Sequence, residues 1–209
     1  MATVETLYLP HYPDYPIYIS FFKNVSNAPF LRQQLLEANT AFEYAFLDAT
    51  MILSPRHLYA ATFRALNDAV HTRLKSRNIH SELVFSLSPN NNIADAYRRF
   101  GIQDSTTSLL AVKIPLSNHD ITAESVSKHL GGAVEGESVA FGEEALAGVT
   151  DLKALRKVYK LDSGNKGGGG KKGKKGAEVV VNGNGVGSGK DERAEMEGVI
   201  LGIMALKGT

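Results

Sequence analysis

Residues 81–102 read SELVFSLSPNNNIADAYRRFGI, and the interpretation of this stretch sets the fold class. Leu83, Phe85 and Leu87 alternate with Val84, Ser86 and Ser88, the period-two pattern of a strand with one fully apolar face, so a buried strand is expected here. Ser88-Pro89 ends it. Asn90 to Asn92 offer side-chain oxygens as N-caps, and Ile93, Ala96, Tyr97 and Phe100 recur at i, i+3, i+4 and i+7, one face of a short helix. Gly101 supplies the expected C-terminal stop. The opposite face carries Asp95, Arg98 and Arg99, leaving a pair of cations for solvent. No acid, base or nucleophile stands out in the stretch.

Upstream, residues 5–9 and 16–22 are candidate strands separated by the Pro- and Tyr-rich HYPDYP, and a hairpin is expected. Residues 26–37 have helical spacing with Phe30, Leu31, Leu35 and Ala38 inward, whereas residues 42–47 fit either a short strand or a helix start. Ser54-Pro55 opens a long helix predicted to run through about residue 76, with Ser54 as N-cap and Pro55 in the first turn, where its missing donor costs nothing. Leu58, Tyr59, Ala61, Thr62, Phe63, Ala65, Leu66, Ala69 and Val70 make its broad apolar side. Arg56, Ala60, Arg64, Asn67, His71 and Lys75 share a narrow basic stripe opposite.

Downstream, residues 106–114 read as a second buried strand ending at Pro115, residues 122–130 as a helix stopped by Gly131-Gly132, and residues 151–159 as a further short helix. Residues 191–206 form a last helix in which Asp191, Glu192, Glu195 and Glu197 complement the dipole toward its start. Met196, Val199, Ile203 and Leu206 then make one apolar stripe, and Ile200, Leu201 and Met204 occupy most of the remaining circumference. A helix apolar all round needs two partners. The expected fold is a single mixed α/β domain with a small mixed or antiparallel central sheet, flanked by helices that include the long one near residues 55–76 and the C-terminal one.

At 209 residues and 43% hydrophobic content the chain is long enough for one ordinary core. Residues 163–189, SGNKGGGGKKGKKGAEVVVNGNGVGSG, hold 11 of the 20 glycines and no aromatic residue, which predicts a flexible insertion into a domain made of residues 1–162 and 190–209. This insertion carries five of the 23 basic residues and one of the 22 acidic ones, a local charge of +4. The remainder, with 18 basic and 21 acidic residues, has a charge of −3. Any nucleic-acid surface on the folded part must therefore be a local patch. The absence of cysteine excludes disulfides and thiolate metal sites and suits a reducing compartment. MATVETLYLPHYP has neither a basic n-region nor an apolar h-region, and the longest apolar run, residues 199–206, falls far short of the roughly 20 residues of a membrane span. A soluble, intracellular protein with no membrane partner is expected, and the Asn24-Val25-Ser26 sequon carries no weight in it.

Residues 177–191, AEVVVNGNGVGSGKD, imitate a phosphate-binding loop but fail in detail: where the pattern requires glycine and Ser or Thr, the chain has Asn184 and Asp191. The six histidines, His11, His57, His71, His80, His119 and His129, lack metal-ligand spacing, so no metal and no cofactor is expected. His57 and Asp68 are too far apart along one helix to touch, and Ser54 and Ser88 lack a nucleophile elbow. The basic stripe with Arg73, Arg77 and Arg98-Arg99 fits either a phosphate backbone or an ordinary solvated face. Tyr59, Phe63, Tyr97 and Phe100 fall on core faces, as packing residues do.

Three segments carry a resemblance: SPRHL from Ser54, LSPNNNIADAYRRFGI from Leu87 and the terminal ILGIMALKG from Ile200. Together, in this order, they resemble the TPRKB-type kinase-binding subunit of the EKC/KEOPS complex, in a fungal form. The resemblance implies a non-catalytic subunit, cytoplasmic and nuclear, that binds the atypical kinase/ATPase of KEOPS, meets the other subunits indirectly, and helps hold tRNA by its single-stranded 3′ end for threonylcarbamoylation beside the anticodon. One side of the C-terminal helix is then expected to enter the kinase, through Ile200, Ile203, Met204 and Leu206 first and Val199 and Met196 next. For tRNA the expected residues are Arg98 and Arg99, then Arg56, Arg64 and Lys75. The residues by themselves leave two other classes open: a homo-oligomeric interaction module using the same apolar helix, and a small α/β enzyme with an unrecognised site.

Overall fold

The computed structural model describes residues 1–116, 120–161 and 189–207, and at its centre is a five-stranded antiparallel sheet. β1 (Glu5–Leu9) and β2 (Tyr12–Lys23) form the expected hairpin, but HYPDYP is mostly strand, since β2 begins at Tyr12. β4 (Leu109–Lys113) lies beside β2 with Ile19 opposite Val112 and Phe21 opposite Leu110, and β3 (Ala45–Asp48) follows it. Residues 45–48 thus settle as a strand. β5 (Glu137–Val139) pairs with the far end of β2.

Side chains alternate across a strand, and here both faces are buried. Ile17, Ile19, Phe21, Leu47, Leu110 and Val112 point into the larger core. That core is completed by α2 (Pro55–Val70), α3 (Ile79–Leu87), α4 (Ile93–Phe100), the short α6 (Glu143–Ala147), α7 (Leu152–Tyr159) and α8 (Gly189–Leu206). Tyr18, Phe22, Phe46, Leu109 and Ala111 point the other way, onto α1 (Ala28–Leu36) and α5 (Ala123–Ala133). The result is a three-layer mixed α/β fold.

The strand expected within residues 81–88 is a helix, α3. All of its residues except Ser81 are buried, so no polar stripe marks a 3.6-residue period, and Leu83, Phe85 and Leu87 satisfy a period of two by coincidence. Asn78 starts it by accepting the Ser81 N–H at 2.9 Å. The buried Glu82 carboxylate then gathers the preceding loop, accepting the N–H groups of Lys75 (2.9 Å) and Ser76 (2.8 Å) and the Ser76 hydroxyl (2.6 Å). This loop exists because α2 stops at Val70, short of residue 76. Thr72 takes a left-handed conformation (φ 54°), its N–H bonding to Ala69 O and that of Arg73 to Asp68 O, the paired bonds of a Schellman stop made without glycine.

Other departures have similar local causes. Phe30 is largely exposed, resting edge-on against Phe42, and Ala38 lies beyond α1 in an exposed left-handed turn. Gly131-Gly132 does not stop α5, which continues to Ala133; a Cβ on Gly131 would lie 2.8 Å from Met1 Cα, so the glycine admits the crossing N-terminus. Gly101 does end α4, at an ordinary φ of −75°. A Cβ there would sit 2.8 Å from the Tyr97 carbonyl oxygen, so close approach is what requires the glycine. The 163–189 insertion, apart from Gly189, the phosphate-loop imitation up to Ser188, and His119 lie outside the described residues.

Candidate partner and nucleic-acid interface

α8 lies against α2 with Met196, Ile200 and Met204 turned inward, Ile200 being 0% exposed and part of the main core. Their spacing by four residues makes them one line on the helix, and all three are committed to this chain's own interior. The opposite arc is exposed at Gly198, Gly202, Ala205 and Leu206, with Leu206 at 65%, and is bordered by half-buried Val199, Leu201 and Ile203. Of the six residues expected at a partner, Val199 and Leu206 keep side chains outside the core, half-buried Ile203 packs against it, and Met196, Ile200 and Met204 belong to it. A helix apolar all round gives no internal sign of which arc faces its own sheet.

Polar contacts set the rotation of α8. Glu197 receives the Ser54 hydroxyl and pairs with Arg56 at 3.3 Å. Arg193 donates to Leu53 O, and Arg156 pairs with Glu192. At the other end the Arg64 guanidinium donates to Met204 O and, at 2.6 Å, to Lys207 O, while the buried Lys207 ammonium donates to Phe85 O and lies 3.3 Å from the centre of the Phe85 ring. Burial above all, and then Arg64, lower the Lys207 pKa from its ordinary 10.5 to about 7. The basic stripe of α2 is therefore mostly a seat for α8. Arg64 is taken up by carbonyls, Arg56 is exposed but paired, and Lys75 projects from the loop after α2.

Arg98 and Arg99 sit at the end of α4 and both pair with Asp95, Arg99 at 2.7 Å. The hydrogen bond from Asn90, followed by that from Arg99, holds the Asp95 carboxyl down at about 2. Arg98 remains 72% exposed and lines an open cleft of about 790 Å³. Arg32 of α1, which pairs with Asp104 at 3.3 Å, and Arg77 of the loop before α3 line the same cleft, together with Leu35, Ile102, Tyr97 and Glu43. Arg99, Arg56, Arg64 and Lys75 are not among its lining residues. Arg77 belongs to the basic set read from the sequence, whereas Arg32 carries no local signal: α1, a loop and α4 bring the three arginines together from distant parts of the chain.

Two further histidines lie in the interior. His57 and His80 are buried, and desolvation lowers both to about 3; beside His80 the Lys113 charge adds to this. His80 Nε2 accepts the Ile114 N–H at 3.1 Å. Among the described residues no group of three or more His, Cys, Asp or Glu side chains is placed to hold a metal ion, and no helix is long and apolar enough to cross a membrane.

The family model described as kinase binding protein CGI-121 matches residues 22–208, nearly the whole chain. The chain belongs to the CGI-121 kinase-binding protein family. It is 48% identical to the EKC/KEOPS complex subunit CGI121 of Phaeosphaeria nodorum, over 99% of this chain and 100% of the relative. The corresponding subunit of Aspergillus fumigatus is 45% identical over 98% and 97% of the two chains, and that of Aspergillus terreus 55% identical over 77% and 81%. The resemblance carried by the SPRHL, LSPNNNIADAYRRFGI and ILGIMALKG segments is thereby established, and with it membership in a family of fungal EKC/KEOPS subunits. In the CGI-121 fold these segments start α2, form the α3–α4 connection with α4, and end α8.

Proposed function

We propose that this chain is the non-catalytic, kinase-binding subunit of a KEOPS complex, that the outward arc of α8 docks on the kinase/ATPase subunit, and that the arginine cleft helps hold the 3′ end of tRNA for threonylcarbamoylation beside the anticodon. The observation that carries the reading is family membership over nearly the whole chain, combined with a C-terminal helix whose exposed arc is apolar where water would favour charge. The cleft suits a single-stranded end: Arg32, paired with Asp104 at 3.3 Å, Arg77 and Arg98 come from three elements and share its lining with Leu35, Ile102 and Tyr97 as well as Glu43, and cations beside apolar and aromatic side chains serve phosphates and unstacked bases.

Gly202→Glu tests the first part, because a Cβ at Gly202 meets nothing within 4 Å and the variant is free to fold. Co-purification with the kinase subunit is expected to be lost, and undiminished recovery would reject α8 as the docking element. For the second part, binding of tRNA with and without its 3′ end is compared in the parent and in Arg32→Ala/Arg77→Ala/Arg98→Ala. The parent should prefer the intact end and show a steeper salt dependence than the triple variant. Equal binding of both tRNAs by the parent would reject the cleft.

A further inference from the structure

We infer that Arg64 and Lys207 form a two-way clasp that positions the last turn of α8 for partner docking. The inference rests on the reading of α8 given above. It assigns Arg64 to the protein interface and not to RNA.

The end of a helix leaves carbonyls without intrahelical partners and carries a partial negative charge. The Arg64 fork reaches from α2 and takes two of the carbonyls there, Met204 O and Lys207 O. Lys207 crosses in the opposite direction, leaving α8 to donate its ammonium to Phe85 O of α3 and to cover the Phe85 ring at 3.3 Å. One contact pulls α2 onto α8, and the other pulls α8 onto α3. Within this last turn Met204 is buried in the core and half-buried Ile203 packs against it, while Ala205 and Leu206 are exposed. The clasp adds two polar restraints to the rotation of a turn held by these few apolar contacts. That rotation fixes where Leu206 points and how Leu201 and Ala205 border the groove they form with Ala60, Phe63 and Asn67 of α2, a space of about 430 Å³.

The clasp has a pH signature. The Lys207 ammonium faces Arg64 from α2, Glu82 from α3 and Lys75 from the loop between them; burial and the two cations oppose its charge, and Glu82 supports it. Its pKa in the docked turn, about 7, lies below the ordinary 10.5, so the docked turn binds the proton less well than a released one. Docking strengthens as pH rises from about 7 toward 10.5 and is weakest below 7.

The test compares hydrogen exchange across residues 199–207, capture of the kinase subunit, and tRNA binding, in the full-length parent, Arg64→Ala, Arg64→Lys and Lys207→Met. In Arg64→Ala, exchange in the last turn should accelerate by about tenfold and capture fall by about tenfold, with tRNA binding unchanged. Arg64→Lys keeps the charge but not the fork and should behave like Arg64→Ala. Parent capture should rise between pH 6.5 and 8.5, and Lys207→Met should flatten this profile. Unchanged exchange in Arg64→Ala, or full recovery in Arg64→Lys, overturns the clasp. Faster exchange with undiminished capture overturns instead the docking reading of α8, and loss of tRNA binding returns Arg64 to the RNA surface.

Discussion

The Tyr159 hydroxyl lies 2.9 Å from Nε2 of His57, joining α7 to α2 in a core that excludes water from both. Leu53 donates its N–H to His57 Nδ1 at 3.2 Å, which leaves the imidazole proton on Nε2. The imidazole therefore donates to the Tyr159 oxygen, and the Tyr159 hydroxyl donates onward to Leu87 O at the end of α3. Three helices are tied by one neutral relay. Tyr159→Phe would leave the His57 N–H unsatisfied in a dry site and should destabilise the fold by about 1–3 kcal/mol, measured by urea denaturation.

This relay also sets an acid limit. The folded-state pKa of His57, and likewise that of His80, is about 3 against an ordinary 6.5, so the unfolded chain takes up protons that the native chain refuses. Stability is full above about pH 6.5 and is lost as pH falls toward 3, by up to about 1.4 kcal/mol per pH unit for each histidine. Between pH 4 and 6 the stability of His57→Gln should fall less steeply with acid, by close to one proton. An unaltered slope would mean that His57 is charged in the native core.

Thr72 holds a left-handed conformation at the end of α2, where a β-branched residue is disfavoured. Thr72→Gly should relieve it and raise stability by about 0.5–1 kcal/mol, seen as a higher urea midpoint with an unchanged slope. A lower midpoint would show that the Thr72 hydroxyl bond to His71 O, 2.7 Å long, outweighs the backbone cost.

Gly101 separates two explanations of one glycine. If handedness were the requirement, Gly101→Asn would be tolerated and Gly101→Ala would not. Because φ is −75° and the obstacle is the Tyr97 carbonyl, both should cost about 1–3 kcal/mol. Thermal denaturation of the two variants decides between them.

Glu82 organises the loop between α2 and α3 through three hydrogen bonds from Lys75 and Ser76. Glu82→Ala should cost about 3 kcal/mol and expose the Lys75 and Ser76 amides to rapid exchange. Protected amides in that variant would show that the loop holds its shape without the carboxylate.

Residues 81–102 divide, by burial, into a part that is legible in the sequence and a part that is not. α4 was legible because Asp95, Arg98 and Arg99 leave a polar face against Ala96 and Phe100, so its period and its Asn92 cap were both visible. α3 has no polar face, and only Asn78 and Glu82 before the apolar run could have signalled a helix start. The end of α2 was missed for a related reason: Thr72 does what glycine ordinarily does, and no composition rule marks it.

The candidate site divides in the same way. Local chemistry identified α8 as unusual and Arg98 as available, and the three family segments were enough to place the chain among kinase-binding subunits. The arc that α8 buries, the clasp through Arg64 and Lys207, and the meeting of Arg32, Arg77 and Arg98 around one cleft depend on contacts between residues far apart in the chain. By itself, then, the sequence determined what repeats or caps locally: the hairpin, α4, the start of α2, the anomalous last helix and the family. Only the tertiary structure decided which faces are spent on the core and which remain for partners, because periodicity records that a side chain is apolar and not what it packs against.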